Sequence, residues 1–255
     1  MGSVGVAVTE PVELAPGVWR AGSELVNWYL VEDEGRVTIV DAGVPKFRPQ
    51  LDTALARMGR GLGDVAAVIL THAHDDHIGF AEPLRAETGV AVHVHADDEH
   101  LARTRKPSRK NERSLLPYLR YPFAYRLLGH LVGGGALKTK PIATVATFSD
   151  GEALDVPGRP RVVHTPGHTT GHCSFHLADR GALIVGDAVC TLNPLTGSRG
   201  PQLMPKALNL SSGTCLDSLA KLQELDADVV LPGHGEPWRD GVPALVERAR
   251  AAGAV

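Results

Sequence analysis

Residues 65–79, VAAVILTHAHDDHIG, set six consecutive apolar residues directly before three histidines and two aspartates. An apolar run of that length, closed by polar residues, predicts a strand buried on both faces. If the extended conformation persists past Leu70, His72 and His74 point to the same side, because strand side chains alternate with period two. Asp76 and His77 can then turn to a neighbouring position. Neutral imidazole and carboxylate are the donor types that suit zinc, iron or manganese. The competing reading is a polar loop that merely closes a strand, and further donors elsewhere decide between the two.

Such donors stand at other strand ends. His168 lies in TPGHTTGH, Asp187 ends the apolar run ALIVGD, and His234 follows ADVV in LPGHG. Ligand-type residues placed where apolar strands run out suit a site along one edge of a sheet. Three donors on each side of one shared carboxylate make two metal positions.

The rest of the chain supplies the frame. GVWRAG, LVNWYLVE and RVTIVD are short and rich in Val, Ile, Trp and Tyr, and they read as strands. KFRPQLDTALARMG carries Phe47, Leu51, Leu55 and Met58 at helical spacing and stops at Gly59. After the histidine cluster come a helix in GFAEPLRAETG, a strand in VAVHVHA and a helix beginning at DDEHLARTRK. Strands return in RPRVVH, HCSFHL and ALIVGD, and helices in SGTCLDSLAKLQEL and VPALVERARAAG flank the strand ADVVLPG. Strand-rich halves, each followed by helices, predict an α/β chain layered helix on sheet on sheet on helix. With 255 residues and 43% hydrophobic content, one domain spanning 1–255, with an insertion at about 103–145, is the simplest organisation.

A formal charge of -3 offers no global basic field for a nucleic-acid backbone, so no nucleic-acid partner is expected. Three cysteines, Cys173, Cys190 and Cys215, fit neither a disulfide framework nor a thiolate zinc site and are expected to be reduced and buried. The N-terminal stretch lacks the basic start of a signal peptide, Val6 breaks the myristoylation pattern, and no apolar run nears the ~18 residues of a membrane span. The expectation is a cytoplasmic protein with no membrane span.

From VDAG at 40–43 to PGHG at 232–235 the chain resembles the metallo-β-lactamase-fold hydrolases, in particular their glyoxalase II-like and lactonase-like branch with two metals. All seven ligand motifs occur in the family's order. The resemblance implies an αββα sandwich of two mixed sheets flanked by helices. It assigns His72, His74 and His168 to a first metal, Asp76, His77 and His234 to a second, and Asp187 to a bridge between them. The cofactors would be two divalent ions, zinc first, with iron or manganese as alternatives. Asp41 would steady a ligand histidine; as a strand-ending turn residue it would do no more than shape the chain. His172, four residues beyond His168, reads as a supporting or turn residue. His93, His95, His164 and His176 read as packed or surface imidazoles within strands, and His100 and His130 carry no ligand spacing.

Two such cations would share a hydroxide near neutral pH and direct it at a substrate carbonyl, with Asp76 as the catalytic proton carrier. The expected reaction is hydrolysis of an ester, a thioester or a lactone. Lactonases of this fold carry a tyrosine three residues after the bridging aspartate, where this chain has Cys190. The glutathione-binding helical domain of glyoxalase II has no counterpart in the roughly twenty residues after PGHG. The alternatives are an RNase Z-like phosphodiesterase, a β-lactamase and an iron-dependent persulfide oxidoreductase.

The insertion is the feature those motifs leave unexplained. RTRKPSRKNER is strongly basic, and the segment after it brings Tyr118, Tyr121, Phe123 and Tyr125, three of the chain's four tyrosines. It reads either as a solvated charged face plus a helical hairpin packed on the core, or as a lid between the metals and solvent. As a lid, its aromatic and leucine surface, together with Cys190, would meet the acyl chain of a small carbonyl substrate, its cations would hold an anionic carrier such as a coenzyme A or acyl-carrier phosphate, and LVGGG would be its hinge.

Overall fold

The computed structural model describes residues 8–254 except Ser108. Residues 1–7, on which part of the leader reading rests, lie outside the described residues. A seven-stranded sheet runs in sequence order: β1 (Val12–Ala15), β2 (Val18–Gly22), β3 (Asn27–Asp33), β4 (Arg36–Val40), β5 (Val65–Ile69), β6 (Ala91–His95) and β7 (Ala146–Phe148). The first three pairings are antiparallel and the last three parallel. The second sheet has four strands in the order β13 (Val229–Pro232), β10 (Ala182–Gly186), β9 (Cys173–Leu177) and β8 (Arg161–His164). A two-stranded ribbon pairs β11 (Cys190–Leu192) with β12 (Arg199–Gln202).

Alternation along the strands explains the layering. In β3, Tyr29 and Val31 face the second sheet and bury with Phe175, Ile184 and Leu231, while Trp28 and Leu30 face the other way into a core shared with helices. Helices α1 (Arg48–Arg57), α2 (Ala81–Thr88) and α3 (Glu99–Thr104) cover that outer face with Leu51, Leu55, Leu84 and Ala102. On the far side, α5 (Ser212–Gln223) and α6 (Val242–Ala252) place Leu219, Leu222, Leu245 and Val246 against Leu183, Val185 and Val230. Each sheet thus has two apolar faces, and the result is the expected αββα sandwich.

β1, β7, β11 and β12 carry no clear apolar alternation, and only tertiary pairing makes strands of them. The insertion also departs from expectation. Instead of a helical hairpin it holds one α-helix, α4 (Pro122–Gly134), preceded by a 3-10 turn over Leu116–Arg120. Proline explains the difference: Pro122 forces Tyr121 into extended backbone (φ -94°, ψ 123°) and so separates the two helical segments. The α4 C-terminus lies so close to the loop after β4 that a Cβ on Gly134 would stand 2.7 Å from the Val44 side chain. His130 Nε2 lies 3.2 Å from Ser23 Oγ in the turn before β3.

Candidate metal centre

Every candidate donor lies just past a strand's end or in a loop that such an end holds. His72 to His77 follow β5, Asp187 follows β10, His234 follows β13, and His168 sits in the loop between β8 and β9. His72, His77, His168, His234 and Asp187 are all buried, while His74 and Asp76 are partly open. The donors converge. Asp187 Oδ2 is 3.2 Å from His168 Nε2, 3.3 Å from His234 Nε2 and 3.8 Å from His72 Nε2, and its Oδ1 is 3.7 Å from His77 Nε2. His74 Nδ1 lies 2.9 Å from His168 Nε2, and Asp76 Oδ2 is 3.7 Å from His234 Nε2.

Two donors bound tetrahedrally to one zinc at about 2.0–2.1 Å stand roughly 3.3 Å apart, which is the spacing seen here. His72, His74 and His168 form one group that could hold a cation and Asp76, His77 and His234 another; Asp187 joins His72 and His77 in a third that spans them. His72 Nε2, His77 Nε2 and Asp187 Oδ1 are buried with no hydrogen-bond partner among the described residues. Buried polar atoms without partners are costly, so the residues present fit divalent cations.

The opposite ring nitrogens are held by hydrogen bonds that leave these donors free. His77 Nδ1 donates to Asp41 Oδ2 at 2.8 Å, and His234 Nδ1 to the Leu25 carbonyl at 2.5 Å. His168 Nδ1 meets Asn209 Oδ1 at 3.0 Å, and the Asn209 amide is fixed by donating to the Met204 carbonyl. The Thr71 hydroxyl donates to Asp41 Oδ2, which turns its lone pairs toward His72 Nδ1 at 3.0 Å. Each bond favours the tautomer whose other nitrogen carries a lone pair for a metal. Asp41 also accepts from Thr71 N. It does so at positive φ (62°), a conformation that Asp favours in turns, so Asp41 both ends the strand and presents its carboxylate to Thr71 and His77. His172 Nε2 accepts from Asp187 N at 2.9 Å, so this imidazole positions the central carboxylate's backbone.

Two glycines are required by the crowding. A Cβ on Gly233 would stand 2.2 Å from Asp187 Oδ1, and one on Gly186, itself at φ +50°, would stand 2.8 Å from Thr71 Cβ. Burial acts on the charges as well. It pushes His72 and His168 well below the usual imidazole range, helped by neighbouring imidazoles, and lowers His172 to about 3. At His77 burial acts in the same direction, but Asp187, Asp41 and Asp76 outweigh it and raise the ring to about 10. For Asp187 burial alone would raise the pKa, yet His234 and His77 hold the carboxylate ionised. The carboxylates concentrate negative charge where a cation would bind.

Asp98 is a site residue that the sequence reading missed. Fully buried after β6, its Oδ2 accepts from Ala73 N (3.2 Å) and the Thr169 hydroxyl (2.7 Å), and its Oδ1 from Gly171 N (2.7 Å). One carboxylate therefore ties the loop of His72 and His74 to the loop of His168 and His172. It stands one turn beyond a strand end, as the other site residues do, but DDEH reads equally well as an acidic first turn of a helix. Asn209 and the Leu25 carbonyl left no signal in the sequence.

A cavity of about 330 Å³ opens above the donors, with His74, Asp76, His168, Asp187 and His234 at its floor. Its apolar wall comes from Leu101, Leu127, Leu131, Met204 and Leu208. The aromatic residues of the insertion lie elsewhere. Tyr118 is buried in a small cluster with Ala124, Leu195 and Ala207, and Tyr121 packs against it. Phe123 packs on the main core, Tyr125 is 56% exposed, and Cys190 is buried with its thiol toward the Gln202 carbonyl. It is thus the leucine face of α4 that meets the cavity.

The sequence matches the Metallo-beta-lactamase superfamily over residues 21–234. It is 28% identical over 242 residues to the probable metallo-hydrolase YqjP of Bacillus subtilis, covering 91% of this chain and 73% of that one. A hydroxyacylglutathione hydrolase of Cereibacter sphaeroides is 32% identical over 166 residues, which cover 64% of this chain and 48% of that enzyme. Among solved structures, a metallo-beta-lactamase family protein of Thermus thermophilus superposes with a TM-score of 0.65 at 29% identity, covering 92% of this chain and 79% of its own. No helix among the described residues is long and apolar enough to cross a membrane.

Proposed function

The chain belongs to the metallo-beta-lactamase superfamily and is a metallo-hydrolase, and from that premise we propose that it cleaves a carboxylic ester, thioester or lactone at a site holding two divalent cations, zinc first. The observation that carries the proposal is the central carboxylate: Asp187 stands between two donor groups at the floor of an apolar cavity. When bound, divalent ions make water a nucleophile near neutral pH and polarise a carbonyl oxygen.

The chain's own residues do the rest. His72, His74 and His168 would hold one ion, Asp76, His77 and His234 the other, and Asp187 would bridge them. Asp41, Asn209, Thr71 and the Leu25 carbonyl keep the imidazoles in the required tautomers. Leucine and methionine walls exclude water and hold the acyl part of a substrate. Asp76, 18% exposed and open to the cavity, carries a proton to the departing oxygen or sulfur atom. Among carbonyl substrates, the similarity to a hydroxyacylglutathione hydrolase favours a thioester. The Cys190 thiol, turned toward the Gln202 carbonyl, offers no hydroxyl to a lactone.

A panel of aryl esters, acyl thioesters, lactones, β-lactams and phosphodiesters, run against protein of measured metal content, tests the proposal. Turnover of a carbonyl substrate that disappears with chelator is expected. Phosphodiester or β-lactam cleavage with ester and thioester rates at background would overturn it.

A further inference from the structure

The basic run of the insertion splits into two kinds of cation. Arg103 and Arg105 are neutralised, Arg103 by Glu99 at 3.2 Å and Arg105 by a two-pronged pair with Asp75 at 2.7 Å. Arg109, Lys110 and Arg113 are exposed, and among the described residues no carboxylate lies within ion-pairing reach of them. Glu112, the sole acid between Arg105 and Arg113, forms no ion pair with them: its Oε2 accepts from Ser212 N at 2.8 Å, and Arg113 acts on it only through space.

Those three cations are not on a free tether. Asn111 Nδ2 donates to the Ala207 carbonyl at 2.7 Å, and Glu112 N donates to the Asn209 carbonyl at 2.8 Å. The loop is thereby pinned to the same 207–212 segment that orients His168 through Asn209. Arg109, Lys110 and Arg113 line an open cavity of about 600 Å³, and Pro107 and Asn111 belong to both this cavity and the apolar one over the donors. The apolar-walled chamber over the donors and the cation-lined cavity therefore adjoin at Pro107 and Asn111. At about 330 Å³ the inner chamber is at the small end of ligand pockets.

We infer that the substrate is an acyl thioester or ester whose acyl group fills the leucine-lined chamber and whose thiol or alcohol half carries phosphate groups held by Arg109, Lys110 and Arg113. This rests on the hydrolase reading above. For a thioester the balance is simple: the carbonyl carbon–sulfur bond breaks, water supplies the new carbon–oxygen bond, and a carboxylate, a thiol and one proton leave. Guanidinium and ammonium groups suit phosphate oxygens through charge-assisted hydrogen bonds. A phosphate on a free nucleotide-linked thiol and one on the phosphopantetheine arm of a carrier protein share that chemistry.

The test compares butyryl-coenzyme A with S-butyryl-N-acetylcysteamine, which has the same acyl group and thioester but no phosphate. At low salt kcat/KM should favour the phosphorylated thioester by about thirtyfold, chiefly through KM, and raising salt from about 20 to about 500 mM should shrink the ratio to about threefold. In the native protein this needs no variant. Arg109→Gln, Lys110→Gln and Arg113→Gln together should shrink the ratio as salt does. A butyryl-carrier protein cleaved faster than butyryl-coenzyme A assigns the phosphate to a protein arm, and the reverse order assigns it to the free cofactor. A ratio near one at low salt with both thioesters cleaved would overturn the phosphate subsite and leave the hydrolase reading standing. Cleavage of neither by metal-loaded protein would end both.

Discussion

The loops at the strand ends and the insertion that overhangs them are fixed by different means. In the loops, His72, His77, His168, His234 and Asp187 are 2% exposed or less, and nearly every polar atom that does not face the donor cluster has a named partner. In the insertion, Leu116, Leu119, Tyr125, Leu128 and Leu137 are all exposed, and α4 docks through a small cluster around Tyr118 and Leu127 and through Phe123 and Leu131 on the main core. Buried hydrogen bonds are directional and costly to break, whereas apolar contacts are tolerant of exchange. The hydrogen-bonded loops suit chemistry, and the insertion, held largely by apolar packing and exposing several leucines, suits the choice of substrate. Substitutions should therefore separate cleanly into those that alter metal binding and rate and those that alter KM.

The largest effect should come at the centre. Asp187→Ala should lower metal occupancy at both positions and remove nearly all activity, while His234→Ala should empty mainly one; elemental analysis of the two variants checks this, and equal losses would break the division into two groups. Asp76→Asn should lower kcat by about 10²–10⁴-fold with a smaller change in KM, the range typical of a lost proton carrier. Unchanged kcat at full metal content would remove Asp76 from the chemistry.

Asp98→Ala should come next. It touches no substrate, yet it leaves Ala73 N and Gly171 N without their acceptor. Metal affinity should fall by about 10–100-fold, with stability lower by about 1–3 kcal/mol for each donor left unpaired. Chelator competition and thermal melting measure both, and Asp98→Asn should recover part of the loss. Native metal affinity in Asp98→Ala would show that the two loops are set independently.

Leu127→Ala with Leu131→Ala carries the comparison into the insertion. KM for an acyl substrate should rise about tenfold, as expected when a few methylenes leave an apolar pocket, with metal content unaltered. Tyr125→Ala, at an exposed position, should change stability by less than about 0.5 kcal/mol and leave steady-state kinetics as they are. A large KM effect at Tyr125 would put the aromatic residues back in contact with the substrate.

The same contrast explains what could be read in the sequence. The donors are legible because chemistry demands a few residue types at strand ends: HAHDDH after an apolar run, and Asp187 and His234 after two others. The layering is legible in strand-rich halves each followed by helices, whereas the αββα sandwich itself comes from the resemblance, because strand period does not fix topology. Asp98 was hidden because an acid after a strand also suits the start of a helix. Asn209 and the Leu25 carbonyl were hidden because their roles depend on which loops meet in space. The cavity wall was the least legible part, since Leu101, Leu131, Met204 and Leu208 come from three separate segments and have no pattern of their own. Aromatic content pointed to Tyr118 and Phe123, which pack inward, and a helical hairpin was expected where Pro122 leaves one helix.

In the proposed site one carboxylate, Asp187, joins two cation positions. Stripping the protein with chelator and titrating zinc back, while following bound metal by elemental analysis and hydrolysis of a butyryl thioester in the same samples, tests it most directly. Saturation at two ions per chain is expected, with the rate reaching its maximum only as the second position fills. Saturation at one ion, with full activity at that point, would contradict it.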